Sequence, residues 1–400
     1  MSRTLAEIAR KLSTPETSIK MVKAGGKKKG RKTPVKNVKP VPKVQLIYAF
    51  NGSGKTRLSR ELKHLVAPEN NSDGVGEASA ARKVLYYNAF TEDLFYWDNE
   101  PDGDAGPKLR IQPNAYTDWL LNLLKDLGQD GNIVKYFQHF ANDKLTPSFS
   151  QDLTEVTFSL ERGDDERITN LKISKGEESN FIWSIFYTLL DQIITILNVA
   201  EPADRESQQF NELEYIFIDD PVSSLDENHL IELAVSLAGL IKSSNSRLKF
   251  IVTTHSPLFY NVLYNELNGK KCYFLERFEN GTFDLVEKDG DSNKSFSYHL
   301  HLKKALEEAI AQNKVQKYHF TLLRNLYEIT ASFLGYQKWS ELLPDDKQAY
   351  LNRIIQFTSH STLSNEVVAE PSGPEKNTVA LLLNHLVSNY GFWQQEEQNA

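Results

Sequence analysis

The stretch from Val44 to Val66 constrains the fold more than any other part of this sequence. The apolar run Val44–Phe50 is typical of a buried strand, it leads directly into the glycine-containing loop Asn51–Thr56, and a helical pattern follows over Arg57–Val66. A strand, a glycine loop and a helix in this order predict a phosphate-binding loop, because backbone N–H groups and the helix N-terminus hold phosphate oxygens there. Ala49 replaces the usual first glycine, so the turn must accept a Cβ atom at that point.

Two side chains of this loop have specific predicted roles. We expect the ammonium group of Lys55 to reach the outer phosphates of a nucleoside triphosphate, and the hydroxyl of Thr56 to bind the accompanying Mg²⁺ ion. The rest of the loop supplies the other predicted nucleotide contacts, which are Asn51, Gly52, Ser53 and Gly54.

Two further apolar runs end in polar side chains. Tyr215–Ile218 leads into the adjacent carboxylates Asp219 and Asp220, and Lys249–Val252 leads into a polar segment that contains His255. Burying unpaired charge is costly, so two acids that close a buried strand favour a functional role. We expect Asp219 to hold Mg²⁺, Asp220 to orient an attacking water molecule, and His255 to sense the terminal phosphate.

The helix predicted over Phe181–Val199 begins in a way that suits an anion. The segment Ile173–Glu178 reads ISKGEE and opens this helix, and Ser174 and Gly176 are its predicted nucleotide contacts. Asp191 lies near the centre of the apolar run, where a membrane-spanning helix tolerates a charge least, so we interpret the run as a buried core helix.

These segments occur in the order NGSGKT, ISKGEE, FIDDPVSSLD and TTHS. Together they resemble the Walker A, signature, Walker B with D-loop, and switch-histidine motifs of ABC-type ATPases, in the soluble branch that includes chromosome-maintenance and DNA-repair ATPases. The resemblance implies an α/β fold with a mixed sheet and flanking helices, and a head-to-tail dimer in which one protomer's signature closes the other's nucleotide site. Asp220 stands where most of these enzymes carry glutamate, which is expected to slow hydrolysis. The Q-loop residue is either Asn88 or Gln112.

Charge is distributed unevenly along the chain. The formal net charge is −7, yet every charged residue from Lys20 to Lys43 is basic, and this stretch also contains several glycines and prolines. We interpret residues 1–43 as a short amphipathic helix followed by a flexible basic arm that attracts polyanions, with a solvated linker as the alternative. The P-loop head is predicted to span residues 44–288.

The last third of the chain, residues 289–400, has few strand patterns and is predicted to be mostly helical. Apolar residues recur with helical spacing over four stretches, which are Tyr298–Gln312, Tyr318–Leu334, Tyr350–His360 and Asn377–Tyr390. An ABC-type head does not need these helices, so they are predicted to form either an effector domain or a brace for a dimer.

Three polar residues of this region suggest a chemistry. Arg324 and Glu328 are four residues apart on one helix, and His360 ends another. Each alone is explained as an ordinary surface ion pair or helix-terminal histidine, but together they form a set that cleaves RNA without a metal. A carboxylate or imidazole removes the 2′-hydroxyl proton, an imidazolium protonates the leaving 5′-oxygen, and guanidinium neutralises the phosphorane. Arg353, seven residues before His360, is a competing arginine, and this spacing resembles helical ribonucleases of the HEPN type.

The whole chain resembles the anticodon nucleases of the PrrC type, bacterial tRNA-cleaving toxins that respond to phage infection. The resemblance covers essentially the full length and includes VPKVQLIYAFNGSGKTRLSR, LFYWDN, DSNKSFSYHLHLK, TLLRNLYE and FTSHSTLSNE. It implies cleavage of tRNA(Lys) 5′ to the wobble base, which leaves a 2′,3′-cyclic phosphate and a 5′-hydroxyl. Arg324, Glu328 and His360 are the implied catalytic set, with no metal at that site. Asp291 and Ser292 are implied to recognise the substrate.

The same resemblance implies regulation and partners. It implies Mg²⁺ with GTP or ATP in the head, and dTTP as a regulatory nucleotide. It also implies a homodimer or a dimer of dimers, held silent by a type I restriction-modification complex and released by a phage-encoded peptide. The single cysteine, Cys272, and the lack of an apolar run behind the first charges favour the bacterial cytoplasm, with no membrane partner.

Two other classes of protein also contain such a head. A DNA-binding repair ATPase with a structural helical cap would carry long coiled-coil heptads between Lys55 and Asp219, and the sequence shows none there. A transporter ATPase subunit would leave the Arg–Glu–His set unexplained. The repair ATPase is therefore the leading alternative to the ribonuclease.

Overall fold

The computed structural model describes residues 3–23, 32–67, 83–88, 91, 93–99, 106–161, 167–221, 227–278, 280–288, 298–358 and 371–392. The chain divides into two compact units, Met1–Asp289 and Gly290–Ala400. The strands of the first unit are β1 (Glu16–Lys23), β2 (Lys32–Lys39), β3 (Val44–Tyr48), β4 (Val84–Tyr87), β5 (Phe95–Asp98), β6 (Lys108–Ile111), β7 (Leu145–Phe149), β8 (Glu155–Glu161), β9 (Arg167–Ile168), β10 (Tyr215–Asp219), β11 (Lys249–Thr254), β12 (Lys271–Arg277) and β13 (Phe283–Glu287).

The helices of the first unit lie between and around these strands. They are α1 (Leu5–Ser13), α2 (Lys55–Val66), α3 (Ala115–Asp126), α4 (Asp130–Phe140), α5 (Lys175–Asn198), α6 (Glu227–Ser243) and α7 (Pro257–Glu266), with a 3₁₀ turn at Pro202–Asp204.

A six-stranded mixed sheet forms the centre of the first unit, in the order β13-β12-β3-β11-β10-β4. All neighbours are parallel except β12 and β13, which form an antiparallel hairpin. This mixed sheet with flanking helices confirms the predicted α/β fold class. Because β3, β11 and β10 are adjacent and parallel, the residues that follow them meet at one edge of the sheet.

A second, antiparallel sheet has the order β5-β6-β8-β7, with β9 paired to β8. Its core is aromatic: the ring of Phe158 on β8 lies 5.2 Å from that of Phe181 on α5 and 5.8 Å from that of Phe137 on α4. Edge-to-face contacts of this kind favour fixed ring positions. The beginning of α5 is therefore packed against this sheet.

Helix α5 is the core helix predicted from the apolar run. Among the described residues it is the one helix long and apolar enough to cross a membrane by length and composition, and 83% of its most apolar window is buried inside the protein.

The N-terminal segment is more regular than the sequence predicts. Helix α1 buries Leu5, Ile8 and Leu12 in the same core as Leu58 of α2, as an amphipathic helix should. The following residues were expected to form an arm without regular structure, but β1 and β2 pair antiparallel. Both strands contain β-branched residues among their lysines, such as Ile19 and Val22 in β1 and Val35 and Val38 in β2, and these residues favour a strand in spite of the charge.

The second unit is helical throughout its described residues. It contains α8 (Tyr298–Ala311), α9 (Lys317–Leu334), α10 (Lys347–Thr358) and α11 (Gly373–Asn389), with a 3₁₀ turn at Trp339–Leu342. Helix α9 is central, since it buries Phe320, Leu323 and Tyr327 against residues of the other three helices. By contrast, Phe333 near the end of α9 is 83% exposed.

Candidate nucleotide site and candidate nuclease site

The phosphate-binding loop has the backbone that its glycines allow. Gly52 and Gly54 have left-handed φ values of 77° and 93°, and a Cβ atom on Gly54 would lie 3.1 Å from the ring of Phe283. Ala49 is not among the described residues with positive φ, and its N–H donates to the carbonyl of Thr254 at 2.9 Å. It continues the strand, so this position accepts a Cβ and needs no glycine.

Lys55 is buried inside the loop. Its ammonium group donates to the carbonyl oxygens of Ala49 at 3.2 Å and Phe50 at 3.3 Å, and to Oδ1 of Asn51 at 3.3 Å. A carboxylate oxygen of Asp220 lies 3.6 Å away. A buried cation needs such acceptors, and these hydrogen bonds hold the ammonium group of Lys55 in place within the loop.

Thr56 and Asp219 bring two oxygen ligands together. The hydroxyl of Thr56 donates to Oδ2 of Asp219 at 2.5 Å, and the hydroxyl of Thr253 donates to the other carboxylate oxygen. Asp219 is almost fully buried, and burial raises its pKa although both hydroxyl hydrogen bonds act in the opposite direction. A buried carboxylate beside a hydroxyl suits a hard cation such as Mg²⁺, which prefers oxygen ligands and would offset this cost.

Asp220 and His255 form a tight pair at the same sheet edge. Nδ1 of His255 contacts Oδ2 of Asp220, while the backbone N–H of His255 and the hydroxyl of Thr254 donate to Oδ1 at 3.4 and 3.3 Å. Burial alone would raise the pKa of Asp220, but the hydrogen bond from His255 and the charges of His255 and Lys55 outweigh it and lower the pKa. Asp220 also has a left-handed φ of 53°, which turns the chain sharply after β10.

The structure thus brings Lys55, Thr56, Asp219, Asp220 and His255 together, on the ends of β3, β10 and β11. Sequence reasoning missed Thr253, although it belongs to the same TTHS segment as His255 and lies one residue before the end of β11. Its residue type was the available signal, because a threonine near the end of a strand can donate to an acidic side chain at the end of the neighbouring strand.

Ser174 and Gly176 lie in the first turn of α5 and not in the cluster around Lys55. Ser174 caps the helix: its side chain accepts from the N–H of Glu177 at 3.3 Å, and the carboxylate of Glu177 accepts from the N–H of Ser174 at 2.7 Å. This reciprocal capping box fixes the helix start at the predicted position.

The two Q-loop candidates occupy different surroundings. Asn88 is buried directly after β4, the strand that neighbours the Asp219 strand, and its N–H donates to the hydroxyl of Thr91 at 3.3 Å. Gln112 is exposed and follows β6 of the second sheet. Because a Q-loop residue should lie near the nucleotide, the position of Asn88 favours it over Gln112.

In the second unit, Arg324 and Glu328 form an ion pair on one face of α9. Nε of Arg324 lies 2.8 Å from Oε1 of Glu328, and the two side chains are 37% and 38% exposed. The guanidinium also lies 6.0 Å from the ring centre of Trp339. An exposed pair of this kind contributes only a few tenths of a kcal/mol to stability, so its substitution should leave the fold intact.

The remaining predicted residues of the second unit are less fully described. His360, Asp291 and Ser292 lie outside the described residues. The competing arginine, Arg353 on α10, donates to the hydroxyl of Thr378 on α11 at 3.1 Å. Arg353 therefore has a partner that links two helices, which gives it a structural role.

The sheet edge and its loop define an α/β P-loop head, joined to a helical unit that carries the Arg324–Glu328 pair. An Escherichia coli protein named anticodon nuclease is 69% identical to this chain over 405 aligned residues, which cover 100% of both chains. This chain therefore belongs to the anticodon nuclease family, as its sequence predicted. No family model matches the chain.

Two solved structures show a weaker similarity. The SMC head domain from Thermotoga maritima is 13% identical with a TM-score of 0.31, and the match covers 69% of this chain and 100% of that one. A dimeric bacterial ABC transporter cassette is 12% identical with a TM-score of 0.32, and the match covers 66% of this chain and 91% of the cassette.

Proposed function

We propose that this protein is a nucleotide-regulated endoribonuclease that cleaves tRNA(Lys) in the anticodon loop, 5′ to the wobble base. The observation that carries the proposal is the 69% identity, over the full length, to a protein named anticodon nuclease. An anticodon loop also suits the chemistry, because its unpaired bases can be splayed out and read at their edges. In this proposal residues 1–43 precede an NTPase domain at 44–288 and a nuclease domain at 289–400.

The cleavage step needs a base, an acid and a positive charge. The 2′-oxygen attacks the adjacent phosphorus as Glu328 or His360 takes its proton. The bond from phosphorus to the 5′-oxygen breaks, and that oxygen receives a proton from the other residue of the two, which starts the step protonated. The products are a 2′,3′-cyclic phosphate and a 5′-hydroxyl. Arg324 neutralises charge on the phosphorane oxygens, and none of these roles requires a metal.

The geometry of Arg324 and Glu328 supports these roles. The ion pair holds the two side chains next to each other, and the neighbouring ring of Trp339 further limits the positions that the guanidinium can take. Both side chains are more than one third exposed, so a tRNA backbone can approach them. Substrate recognition by Asp291 and Ser292 belongs to the same proposal.

The head is proposed to bind Mg²⁺ with GTP or ATP, and dTTP as a regulatory nucleotide. Lys55 and the loop from Asn51 would hold the phosphates, while Thr56 and Asp219 would hold the metal, whose chemistry is to neutralise phosphate charge. Asp220 and His255 are then the pair that orients water and contacts the terminal phosphate. The shared oxygen environment of Thr56 and Asp219 is the observation that favours a bound cation.

Nucleotide binding is proposed to control cleavage through a dimer. Ser174 and Gly176 lie at a capped helix start, where free N–H groups suit an anion. In a head-to-tail homodimer, or a dimer of dimers, they would complete the nucleotide site of the partner subunit. A bacterial type I restriction-modification complex is the proposed silencing partner and a phage-encoded peptide the proposed activator, both in the cytoplasm.

End-labelled cleavage of a cellular tRNA pool, with Mg²⁺ and GTP, tests the nuclease proposal. We expect the wild type to cut one tRNA and leave a cyclic phosphate end, and Glu328→Gln to lose most of that product. The matched control is Glu307→Gln, which removes another i,i+4 pair of this unit, formed with Lys303 at 2.7 Å. If neither protein cuts tRNA while the head hydrolyses nucleotide, a repair-type ATPase with a helical cap becomes the better account.

A further inference from the structure

Glu178 is a buried acid that the proposed nucleotide chemistry does not use. Among the described residues, Asp219 and Glu178 are the acidic side chains that are buried, and Glu178 is 4% exposed. It lies in the first turn of α5, immediately after the segment that contains Ser174 and Gly176. Burying a carboxylate is costly unless donors satisfy it, so its donors show what this position requires.

The carboxylate of Glu178 has two donors. The indole Nε1 of Trp97 donates to Oε2 at 2.9 Å, and Nζ of Lys175 donates to Oε1 at 2.6 Å. The Lys175 side chain is 65% exposed, so it reaches the carboxylate of Glu178 from the solvent side. Trp97, which is half-buried, is the donor from the second sheet, and a hydrogen bond to a charged acceptor is among the stronger ones in proteins.

Trp97 is itself fixed to the second sheet. It lies on β5 opposite Leu109 of β6, and its ring centre is 5.9 Å from that of Phe158 on β8. Nζ of Lys172 lies 5.7 Å from the centre of the Trp97 ring and donates to Oδ1 of Asn99 at 2.7 Å. Trp97 therefore contacts both the segment before α5 and, through Glu178, its first turn.

The position of Trp97 along the chain relates this contact to the central sheet. Strand β4 is the edge of the central sheet beside the Asp219 strand, and the chain runs from β4 past Asn88 to β5. Through its hydrogen bond to Glu178, Trp97 thus links strand β5 to the start of α5, within the first compact unit.

We propose that Trp97 is a positioning residue: its indole N–H, through Glu178, fixes the first turn of α5 so that Ser174 and Gly176 can close the nucleotide site of a partner subunit. This inference rests on the proposed nucleotide-dependent dimer. It assigns Trp97 no contact with nucleotide or RNA.

Trp97→Phe tests the inference, because phenylalanine keeps an aromatic ring on the sheet and removes the N–H donor, and the same loss of ring size occurs in the control variant below. In the nucleotide-free full-length protein, we expect hydrogen exchange at the bonded N–H groups of Ser174, Glu177 and Glu178 to become about tenfold faster, because the lost bond is of the charged-acceptor class. With Mg²⁺ and a slowly hydrolysed GTP analogue, we expect the dimer dissociation constant to rise about tenfold. The affinity of the monomer for nucleotide, measured well below the dimer dissociation constant, should stay within about twofold, because the hydrogen bond of Trp97 goes to Glu178 and not to the loop.

Trp119→Phe is the matched control, since Nε1 of Trp119 donates to exposed Gln209 at 3.2 Å. It should behave as wild type. Glu178→Gln keeps an acceptor oxygen and should lose less dimer than Glu178→Leu. Unchanged exchange in Trp97→Phe, an equal change in Trp119→Phe, or an equal loss of nucleotide affinity in the monomer would overturn the positioning role. If the wild type forms no dimer with nucleotide, the proposed gating is wrong, whereas the exchange result still decides whether Trp97 fixes this turn.

Discussion

The two candidate sites of this protein are built in opposite ways. In the head, Lys55, Asp219 and Asp220 are largely buried, and each is held by several hydrogen bonds from neighbouring strand ends. In the helical unit, Arg324 and Glu328 lie partly exposed on one helix and form an ion pair with each other. The first site is thus fixed by the sheet itself, and the second by the spacing of residues on a helix.

This difference teaches which changes each site tolerates. A buried polar cluster shares its stability with its function, so substitutions there should alter folding as well as binding. An exposed helix pair contributes little to stability, so substitutions there should alter chemistry alone. The comparison fails if the nuclease pair proves necessary for folding, or if the head cluster can be changed without any effect on stability.

Arg324→Ala should produce the largest effect. The guanidinium is proposed to act on charge that develops in the transition state, so cleavage should fall about 10²–10³-fold with little change in tRNA affinity or melting temperature. Single-turnover cleavage and tRNA binding would be measured on the same preparation. A parallel loss of affinity would make Arg324 a binding residue, and a larger loss of cleavage in Arg353→Ala would favour the competing arginine.

Lys55→Ala should weaken triphosphate binding by about 10–100-fold, because it removes a charge-assisted contact to the phosphates. Cleavage should then no longer respond to added nucleotide. Lys63→Ala is the control on the same helix, since its Nζ lies against the ring of Tyr86 at 5.8 Å and away from the loop. A variant that keeps its full nucleotide response would contradict the assignment of the head.

Asp219→Asn should stabilise the head in the absence of Mg²⁺. Burial raises the pKa of Asp219 above its unfolded value, so the wild type loses stability as the pH rises through the folded pKa and the carboxylate ionises. The variant should therefore melt about 2–4 °C above the wild type at pH 7, with a smaller difference near pH 4.

Melting curves at both pH values, without metal, provide the measurement for Asp219→Asn. With Mg²⁺ and triphosphate the order should reverse, because the variant lacks the carboxylate ligand. If the variant is less stable than wild type at pH 7 without metal, the hydrogen bonds from Thr56 and Thr253 more than offset the cost of burying the charge.

Tyr327→Phe should have the smallest effect. The hydroxyl of Tyr327 donates to the carbonyl of Leu382 at 2.9 Å and joins α9 to α11 in a buried setting. Its loss should cost about 1 kcal/mol of unfolding free energy of the helical unit, with nearly normal cleavage. Tyr318→Phe, at a side chain that is 44% exposed, serves as the comparison in denaturant titrations. An effect on cleavage larger than on stability would place Tyr327 closer to the chemistry than its burial indicates.

Much of the head could be predicted from the sequence because its site follows from the ends of adjacent parallel strands. Lys55, Asp219 and His255 each follow an apolar run and were predicted to belong to one nucleotide site. The structure places the strands before them side by side, so the three residues meet at one edge of the sheet. The β1–β2 ribbon was not predicted, because its lysines, together with the glycines between its two strands in the sequence, indicate an irregular arm. Contacts such as Trp97 with Glu178 join residues that are distant in the chain, and no local pattern reports them.

The helical unit yielded less to sequence reasoning. The spacing of Arg324 and Glu328 predicts that they meet, and they do so at 2.8 Å. Nothing in that spacing separates a catalytic pair from a surface pair such as Lys303 and Glu307. The assignment rests on the combination with His360, so His360 is where the account is tested best.

The most direct measurement is cleavage of a tRNA pool, together with nucleotide binding, by wild type and His360→Ala side by side in the presence of GTP. The account predicts that His360→Ala binds nucleotide as the wild type does and yields no cleaved tRNA, because the acid–base group is lost while the head is intact. Loss of nucleotide binding and cleavage together, or unchanged cleavage by the variant, would contradict the claim that a separate nuclease site in the helical unit is controlled by the head.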